Sequence, residues 1–523
     1  MKKNTTMRKH ISWVAALACA LLFAACSQDK GNYDYHTINE PDITGVPETN
    51  SVLIHDVLDL DPSMGDNISD LDAYDYEWKV INNSGDHEET VLSHQKHLSQ
   101  EVTLDAGDYT LYFTATDKQS GLFWRKSYTL RVSDSSSEGW MVLCDVDGKT
   151  RLDIISAVTG KTYQDVLASK GMDELDHPYA IQYAPKNGYS GSPFYLFTAD
   201  GATRLSNNNF GWQKDYAFKY EVAKSIDLRP RGMVCDKSGM MRALVSDGIM
   251  YTASNMGIQG LFAAVNKQPV LAPYVGANVG ATSYASVYLV YDDTNKRFMA
   301  CCPFLVALSL SDTNYHTMTE MEDIATGYKG SEMVTGTAFN DYPAGLDFVY
   351  MENTKYDPGN SKMGITYTVL CGGGKYYLYG IQLGDMLTYA DCSYVLGKAY
   401  YGDLSDCKDI DKAQHFAFSS LRNYMYYAVG GTVYRVNLSE TPLKAEKQFA
   451  LSGESITVLK FNLYQGSTSN HDYDLVVASE KNGTGTLRLY DGMTSEGDFS
   501  SVKPTVYTGF AKIVDATYRE RSN

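Results

Sequence analysis

The sequence predicts an all-β chain: an immunoglobulin-like β-sandwich over residues 38–133, then a seven-bladed β-propeller over residues 139–523. Three observations predict it. Residues 38–133 alternate apolar and polar with period two, with Trp78 in an early strand. Beyond them, a tight-turn signal between two apolar runs recurs at a period of roughly 50 residues. The chain then closes on one more strand-like run, Ala511-Lys512-Ile513-Val514-Asp515-Ala516-Thr517-Tyr518, with no hairpin after it. No helical period competes anywhere.

The first element is not part of the fold. Lys2, Lys3, Arg8 and Lys9 precede the apolar run Ile11 to Phe23, which is too short to span a bilayer. Small Ala24 and Ala25 follow, and then Cys26. This is the layout of a secretory signal peptide over residues 1–25. A cysteine at the cut site resembles a bacterial lipoprotein signal, in which Cys26 becomes the acylated first residue. Two or more acyl chains then hold stably to a membrane, at about 0.8 kcal/mol per buried CH2. An ordinary secreted protein with a cysteine at that place is the alternative. Residues 26–37 read as a lipidated tether, polar and without apolar period.

The sandwich rests on three clear strands, Tyr76 to Val80, Asp108 to Thr116 and Lys126 to Val132, with turn signals between them. Trp78 fits the buried tryptophan of an early strand, and Tyr109 fits a tyrosine corner. Ser133 to Glu138 is a polar linker.

The propeller rests on seven hairpins. Asp147-Gly148-Lys149-Thr150-Arg151-Leu152 recurs as Asp200-Gly201-Ala202-Thr203-Arg204-Leu205. Further turns are Asp247-Gly248, Asp293-Thr294-Asn295, Gly372-Gly373-Gly374, Gly430-Gly431 and Asn482-Gly483. Asp-Gly and Asn-Gly pairs mark hairpins because both central residues need positive φ. Another apolar run usually precedes each hairpin, such as Tyr179 to Tyr183 or Ile456 to Phe461. Four strands per ~40–50 residues is the propeller signature. The first blade lacks its leading strand. The ring closes if the C-terminal run supplies it, which removes free sheet edges. An array of sandwiches with coincidental turns is the alternative.

Bulk properties exclude some partners. The net charge is −18, and loss of the four basic residues of the signal takes it to about −22. Nucleic acid is disfavoured, since its binding needs basic patches. Tyrosine is in excess, with 41 copies against 5 tryptophans. That suits strands first and a binding surface second. Beyond the signal and Cys26, seven cysteines remain: Cys144, Cys235, Cys301, Cys302, Cys371, Cys392 and Cys407. They are odd in number and sit mostly in apolar runs, so they read as buried free thiols.

The opening Cys26-Ser27-Gln28-Asp29-Lys30-Gly31-Asn32-Tyr33-Asp34-Tyr35, continuing to Ile38-Asn39-Glu40, resembles the PKD-like family lipoproteins of Bacteroidetes. The resemblance implies a PKD-like N-terminal domain. It also implies an accessory lipoprotein beside SusC/SusD-type, TonB-dependent outer-membrane importers. The implied role is capture of oligopeptide or oligosaccharide at the outer membrane, facing the cell surface. Asp29 resembles the acidic surface-export signals of that phylum.

Catalytic motifs are lacking. There is no His-Glu-x-x-His and no Gly-x-Ser-x-Gly. The run Gly276 to Thr282 lacks the Gly-Lys-Ser/Thr of a phosphate loop and reads as an inter-blade turn. Asp292 and Asp293 read as a solvated hairpin turn. The acids Asp56, Asp59, Asp61, Asp66, Asp70, Asp72 and Asp75 suggest either calcium or a solvated loop. No catalytic residue, metal or cofactor is predicted. The ligand candidates are aromatic: Phe210 and Trp212 after Asn207-Asn208-Asn209, and Tyr400 and Tyr401 before Gly402-Asp403. The alternative is that these rings cap blade interfaces. Two functions follow: a binding or scaffold module of an importer, or a secreted propeller-type hydrolase or lyase acting on glycan or peptide.

Overall fold

The computed structural model describes residues 40–54, 56–83, 87–168, 170–172, 174–183, 194–206, 210–235, 241–254, 260–279, 287–301, 319–320, 345–359, 363–386, 394–463, 471–492, 494 and 496–520. The expected signal peptide, the acylated Cys26 and the tether lie outside them. The chain divides into two compact units, with Gly107–Val132 in the first and Ser133 onward in the second.

The first unit has seven strands: β1 (Thr49–Leu53), β2 (Val57–Leu60), β3 (Tyr74–Asn82), β4 (Glu89–Ser93), β5 (Leu98–Glu101), β6 (Gly107–Asp117) and β7 (Phe123–Ser133). They form a sheet of order β1-β7-β6-β3-β4 and a second of β2-β5. The period-two pattern is visible in burial: in β6, Tyr109, Leu111, Phe113 and Ala115 are all buried. Trp78 of β3 is fully buried and packs on Phe113, with ring centroids 4.7 Å apart. Its Nε1–H donates to the Lys96 carbonyl at 3.0 Å. Lys96 lies just ahead of β5, so this bond ties one sheet to the other. Tyr109, the expected corner residue, is buried in β6.

The second unit is a ring of seven sheets, the blades. Counted from the ring axis, the innermost strands of blades 1 to 7 are Lys512–Arg519, Pro178–Tyr183, Val234–Cys235, Gly276–Ala277, Asp347–Asn353, His415–Phe418 and Ser455–Phe461. Six blades have four strands and blade 2 has three among the described residues. All seven predicted turns join the second and third strands of a blade. The positive φ that the turns require is present at Asp147 and Gly148 (53° and 89°), Asp247 and Gly248 (50° and 77°), and Asn482 and Gly483 (52° and 78°). At Asp200-Gly201 only the glycine has it, with φ of 145°.

The chain closes its ring as the orphan C-terminal strand predicted. Lys512–Arg519 pairs antiparallel with Gly139–Val146, from Lys512 opposite Asp145 to Arg519 opposite Gly139. Blade 1 thus takes its first strand from the end of the chain.

Packing explains why the middle strands read as unbroken apolar runs rather than as alternating ones. Each blade is covered on both faces, so successive side chains enter different cores. Trp140, Val142 and Cys144 enter the core between blades 7 and 1. Met141 and Leu143 enter the core between blades 1 and 2. Each of the seven blade interfaces has such a cluster. Much of the tyrosine excess lies there, as in Tyr367 stacked on Phe418 at 4.7 Å across blades 5 and 6.

Two local expectations are corrected. Gly276-Ala277 is not a turn but the inner strand of blade 4. A Cβ on Gly276 would meet Leu289 Cβ and Thr366 Cγ2, each at 2.9 Å, so close packing explains this glycine. Asp292 is not solvated but fully buried. It accepts from the backbone N–H groups of Thr294 (3.0 Å) and Asn295 (2.9 Å), and from Arg297 Nε (3.0 Å). It is a buried staple for its hairpin. Burial works to raise its pKa, and the Asn295 and Arg297 hydrogen bonds win and lower it.

Trp78→Ala opens a cavity at the centre of the sandwich and leaves the Lys96 carbonyl without its donor. The expected cost is about 3–5 kcal/mol. In calorimetry of the full chain, the sandwich transition moves down while the propeller transition stays in place. Loss of both transitions together would contradict independent cores.

Candidate functional site

The innermost strand of a blade has one edge facing the ring axis and no strand to pair with there. Its polar groups must be met by other means. Inner-strand side chains reaching to the neighbouring blade meet many of them. From blade 1, Asp515 accepts the Ile181 N–H of blade 2 at 2.9 Å. From blade 2, Gln182 Oε1 accepts the Met233 N–H beside blade 3 at 2.8 Å. From blade 5, Asn353 bonds back to Ala277 and Val275 of blade 4, at 2.9 and 3.0 Å. Also from blade 5, Glu352 Oε1 accepts the Phe418 N–H of blade 6 at 3.3 Å. His415 of blade 6 is hydrogen-bonded to the Ile456 backbone of blade 7. Lys460 of blade 7 returns to Asp515 at 2.7 Å.

Asp515 therefore joins three blades. It is 7% exposed and sits at a register shift between Ile513 and Asp515 in the closing strand. A bulge re-aims a side chain, and here it aims a carboxylate at both neighbours.

These strands frame two adjoining cavities, of about 260 Å³ and 220 Å³. Both lie at one mouth of the axial channel, toward the C-terminal ends of the inner strands of blades 2, 5 and 7 and beside the short inner strands of blades 3 and 4. Gln182, Met233, Glu352, Asn353 and Leu463 line both. The larger adds Tyr350, Lys460, Phe461 and Thr517; the smaller adds Arg231 and Tyr274.

Glu352 is the distinctive group. Its carboxylate is half-buried, and Oε2 accepts the Tyr350 hydroxyl at 3.0 Å. Burial raises its pKa to about 7, against smaller lowering effects from Tyr350, the Phe418 N–H and the Lys460 charge. Burial also raises the Tyr274 and Tyr350 hydroxyls, so both stay neutral.

The sequence-predicted ligand residues lie elsewhere. Phe210 is 1% exposed, not the exposed ring its loop setting suggested. A positive φ of 54° turns it inward, where it packs on Phe194 at 5.7 Å and beneath the Arg519 guanidinium at 4.5 Å. Trp212 is half-buried on the same core, and its Nε1–H donates to Thr203 Oγ1 at 2.9 Å. Tyr400 and Tyr401 are consecutive in Tyr394–Asp403, the outer strand of blade 5, and point to opposite faces. Tyr400 packs in the core toward blade 6, and Tyr401 in the core toward blade 4. All four rings thus cap blade interfaces, and none lines the cavities at the channel mouth. Cys26 lies outside the described residues.

Four of the seven acids weighed for calcium have protein partners for their side chains. Asp59 meets His97 at 2.8 Å, Asp61 pairs with Lys96, Asp70 caps the short turn at Leu71–Ala73, and Asp75 faces Lys118 at 3.5 Å. Among the described residues, no three His, Cys, Asp or Glu side chains are grouped to hold a metal ion.

The PKD-like family model matches residues 26–175. No curated protein matches the chain. Among solved structures, a quinonprotein alcohol dehydrogenase-like protein from Bacteroides thetaiotaomicron is 13% identical, with a TM-score of 0.43, over 92% of this chain and 100% of its own. Hsv2 from Kluyveromyces lactis is 7% identical, with a TM-score of 0.34, over 73% and 96%. The WD40 domain of SCAP from fission yeast is 8% identical, with a TM-score of 0.32, over 64% and 75%.

Glu352 sets a pH dependence. Its native pKa lies above its ordinary 4.5, so between about 4.5 and 7 the folded chain holds a proton that the unfolded chain releases. This contribution therefore makes stability fall as pH rises through that window, by about 1–3 kcal/mol. Glu352→Gln keeps an acceptor for Phe418 and removes the titration. Urea unfolding at pH 5 and pH 8 is expected to show a steeper loss for the wild type than for the variant. Equal slopes would contradict the assignment.

Proposed function

We propose that this chain is an outer-membrane lipoprotein, held by acyl chains on Cys26 and facing the cell surface. In this reading it is an accessory binding and scaffold subunit of a SusC/SusD-type importer. Its cargo is oligopeptide or oligosaccharide, met at the mouth of the propeller channel. The observation that carries the reading is the convergence there of inner-strand polar groups around two cavities of mixed polar and apolar lining. A few polar groups in an apolar concavity is the usual make-up of a ligand site. The larger cavity, about 260 Å³, is just below the ~300–1,000 Å³ of sites that engulf a drug-sized ligand. It suits one residue of a longer chain. The lipoprotein-like signal and the PKD-like match over residues 26–175 support the envelope location.

One observation favours the hydrolase or lyase alternative. A half-buried carboxyl with a pKa near 7, such as Glu352, has the profile of a general acid. Its two oxygens, however, already accept from Tyr350 and from the Phe418 N–H, which fits a structural carboxylate better.

Affinity purification of the tagged chain from detergent-solubilised outer membranes tests the role. A SusC/SusD-type pair is expected to co-purify, and Cys26→Ala is expected to move the chain out of the membrane fraction. A chain that always purifies alone, or an alanine variant that stays in the membrane, contradicts the proposal.

A further inference from the structure

Glu352 lines both channel cavities, so its carboxylate borders the space a ligand would fill. Among the described residues no cation forms an ion pair with it. Lys460, the nearby ammonium, is held by Asp515 at 2.7 Å. Arg231 borders the smaller cavity, lies over the Tyr179 ring at 5.5 Å, and its charge also reaches the Tyr274 hydroxyl. Glu352 accepts hydrogen bonds from two neutral donors, a phenol and a peptide N–H, and feels the Lys460 charge only at longer range. A carboxylate in that setting is under-compensated, and a cation brought to it gains more than it would in water.

The walls beside it are aromatic. The rings of Tyr274 and Tyr350 meet edge to face at 5.7 Å. Tyr274 borders the smaller cavity and Tyr350 the larger. Each ring is also stacked on a neighbour, Tyr274 on Phe348 and Tyr350 on Phe416, both at 5.7 Å. Aromatic rings next to a carboxylate favour a cation over a neutral hydroxyl. The cavity size suits a compact cation on a short stem, and a small ammonium loses less in such a space than a broad guanidinium.

We propose that the channel mouth holds a primary ammonium group, from a lysine side chain or a peptide amino terminus, between the Glu352 carboxylate and the rings of Tyr274 and Tyr350. This rests on the capture reading and narrows it: the cargo is peptide, and recognition is through its amine.

Titration calorimetry of the full chain in detergent tests this with four probes. Acetyl-Ala-Lys-Ala-amide carries only the side-chain ammonium. Ala-Ala-Ala-amide carries only the terminal one. Acetyl-Ala-Ala-Ala-amide carries neither, and maltoheptaose is a neutral sugar. One or both ammonium peptides are expected to bind at least tenfold more tightly than the capped peptide. Glu352→Gln is expected to erase that preference, and Tyr274→Leu to weaken it roughly threefold. Preference in the wild type must also shrink as salt is raised, a readout that needs no variant. Equal binding of capped and ammonium peptides, or a preference retained by Glu352→Gln, overturns the inference. Tight binding of maltoheptaose or the capped peptide alone leaves the capture reading standing and removes the ammonium. Binding of none of the four overturns both.

Discussion

The propeller depends on one constraint: every blade is apolar on both faces, so the fold is stable only as a closed ring. An open row of blades would leave two such faces and two sheet edges in water. Closure is made by pairing Lys512–Arg519 with Gly139–Val146, strands from opposite ends of the unit. Asp515 fixes that pairing in place by holding blade 2 through Ile181 and blade 7 through Lys460. Arg519 adds a second lock. It is 2% exposed, covers Phe194 and Phe210, and donates to the Ser136 carbonyl at 2.7 Å. Burial pushes its pKa down to about 10, so it remains charged at neutral pH.

The candidate site follows from the same constraint. Inner strands cannot complete their hydrogen bonding within their own sheets. They place polar side chains where these reach the next blade. Gln182, Glu352, Lys460 and Asp515 serve in this way in blades 2, 5, 7 and 1. Gln182, Glu352 and Lys460 also border the cavities. The groups that stitch the ring are thus available to touch what enters it. Glu352 differs from Asp515 in accepting hydrogen bonds from neutral partners rather than from an ammonium, and burial is the largest influence on its own proton affinity.

What was legible in the sequence was local. Turns such as Asp147-Gly148 and Asn482-Gly483 declare themselves because their backbone needs residues that tolerate positive φ. The blade count and the closing strand followed from those turns. Trp78 was legible because a tryptophan in an early strand of alternating apolar residues has few other places to go. The site was not legible, because it is assembled from residues 182, 233, 352, 460 and 515, which share no local motif. One signal was present: charged or amide residues late in the leading strand of a repeat, as in Ile181-Gln182-Tyr183, Met351-Glu352-Asn353 and Leu459-Lys460-Phe461. The aromatic candidates lie at blade interfaces, a placement the sequence left open because a ring beside a turn can point either way. At Phe210 the backbone φ decides, and composition does not report it.

Amide hydrogen exchange, read by mass spectrometry on peptides covering Gly139–Val146 and Lys512–Arg519, tests ring closure most directly. The closed ring predicts that both strands are protected as strongly as the buried blade 7 strand Leu475–Lys481. It further predicts that Asp515→Ala speeds exchange in both strands together before the other blades respond. Rapid exchange of Lys512–Arg519 in the unaltered chain, with Gly139–Val146 still protected, would contradict it.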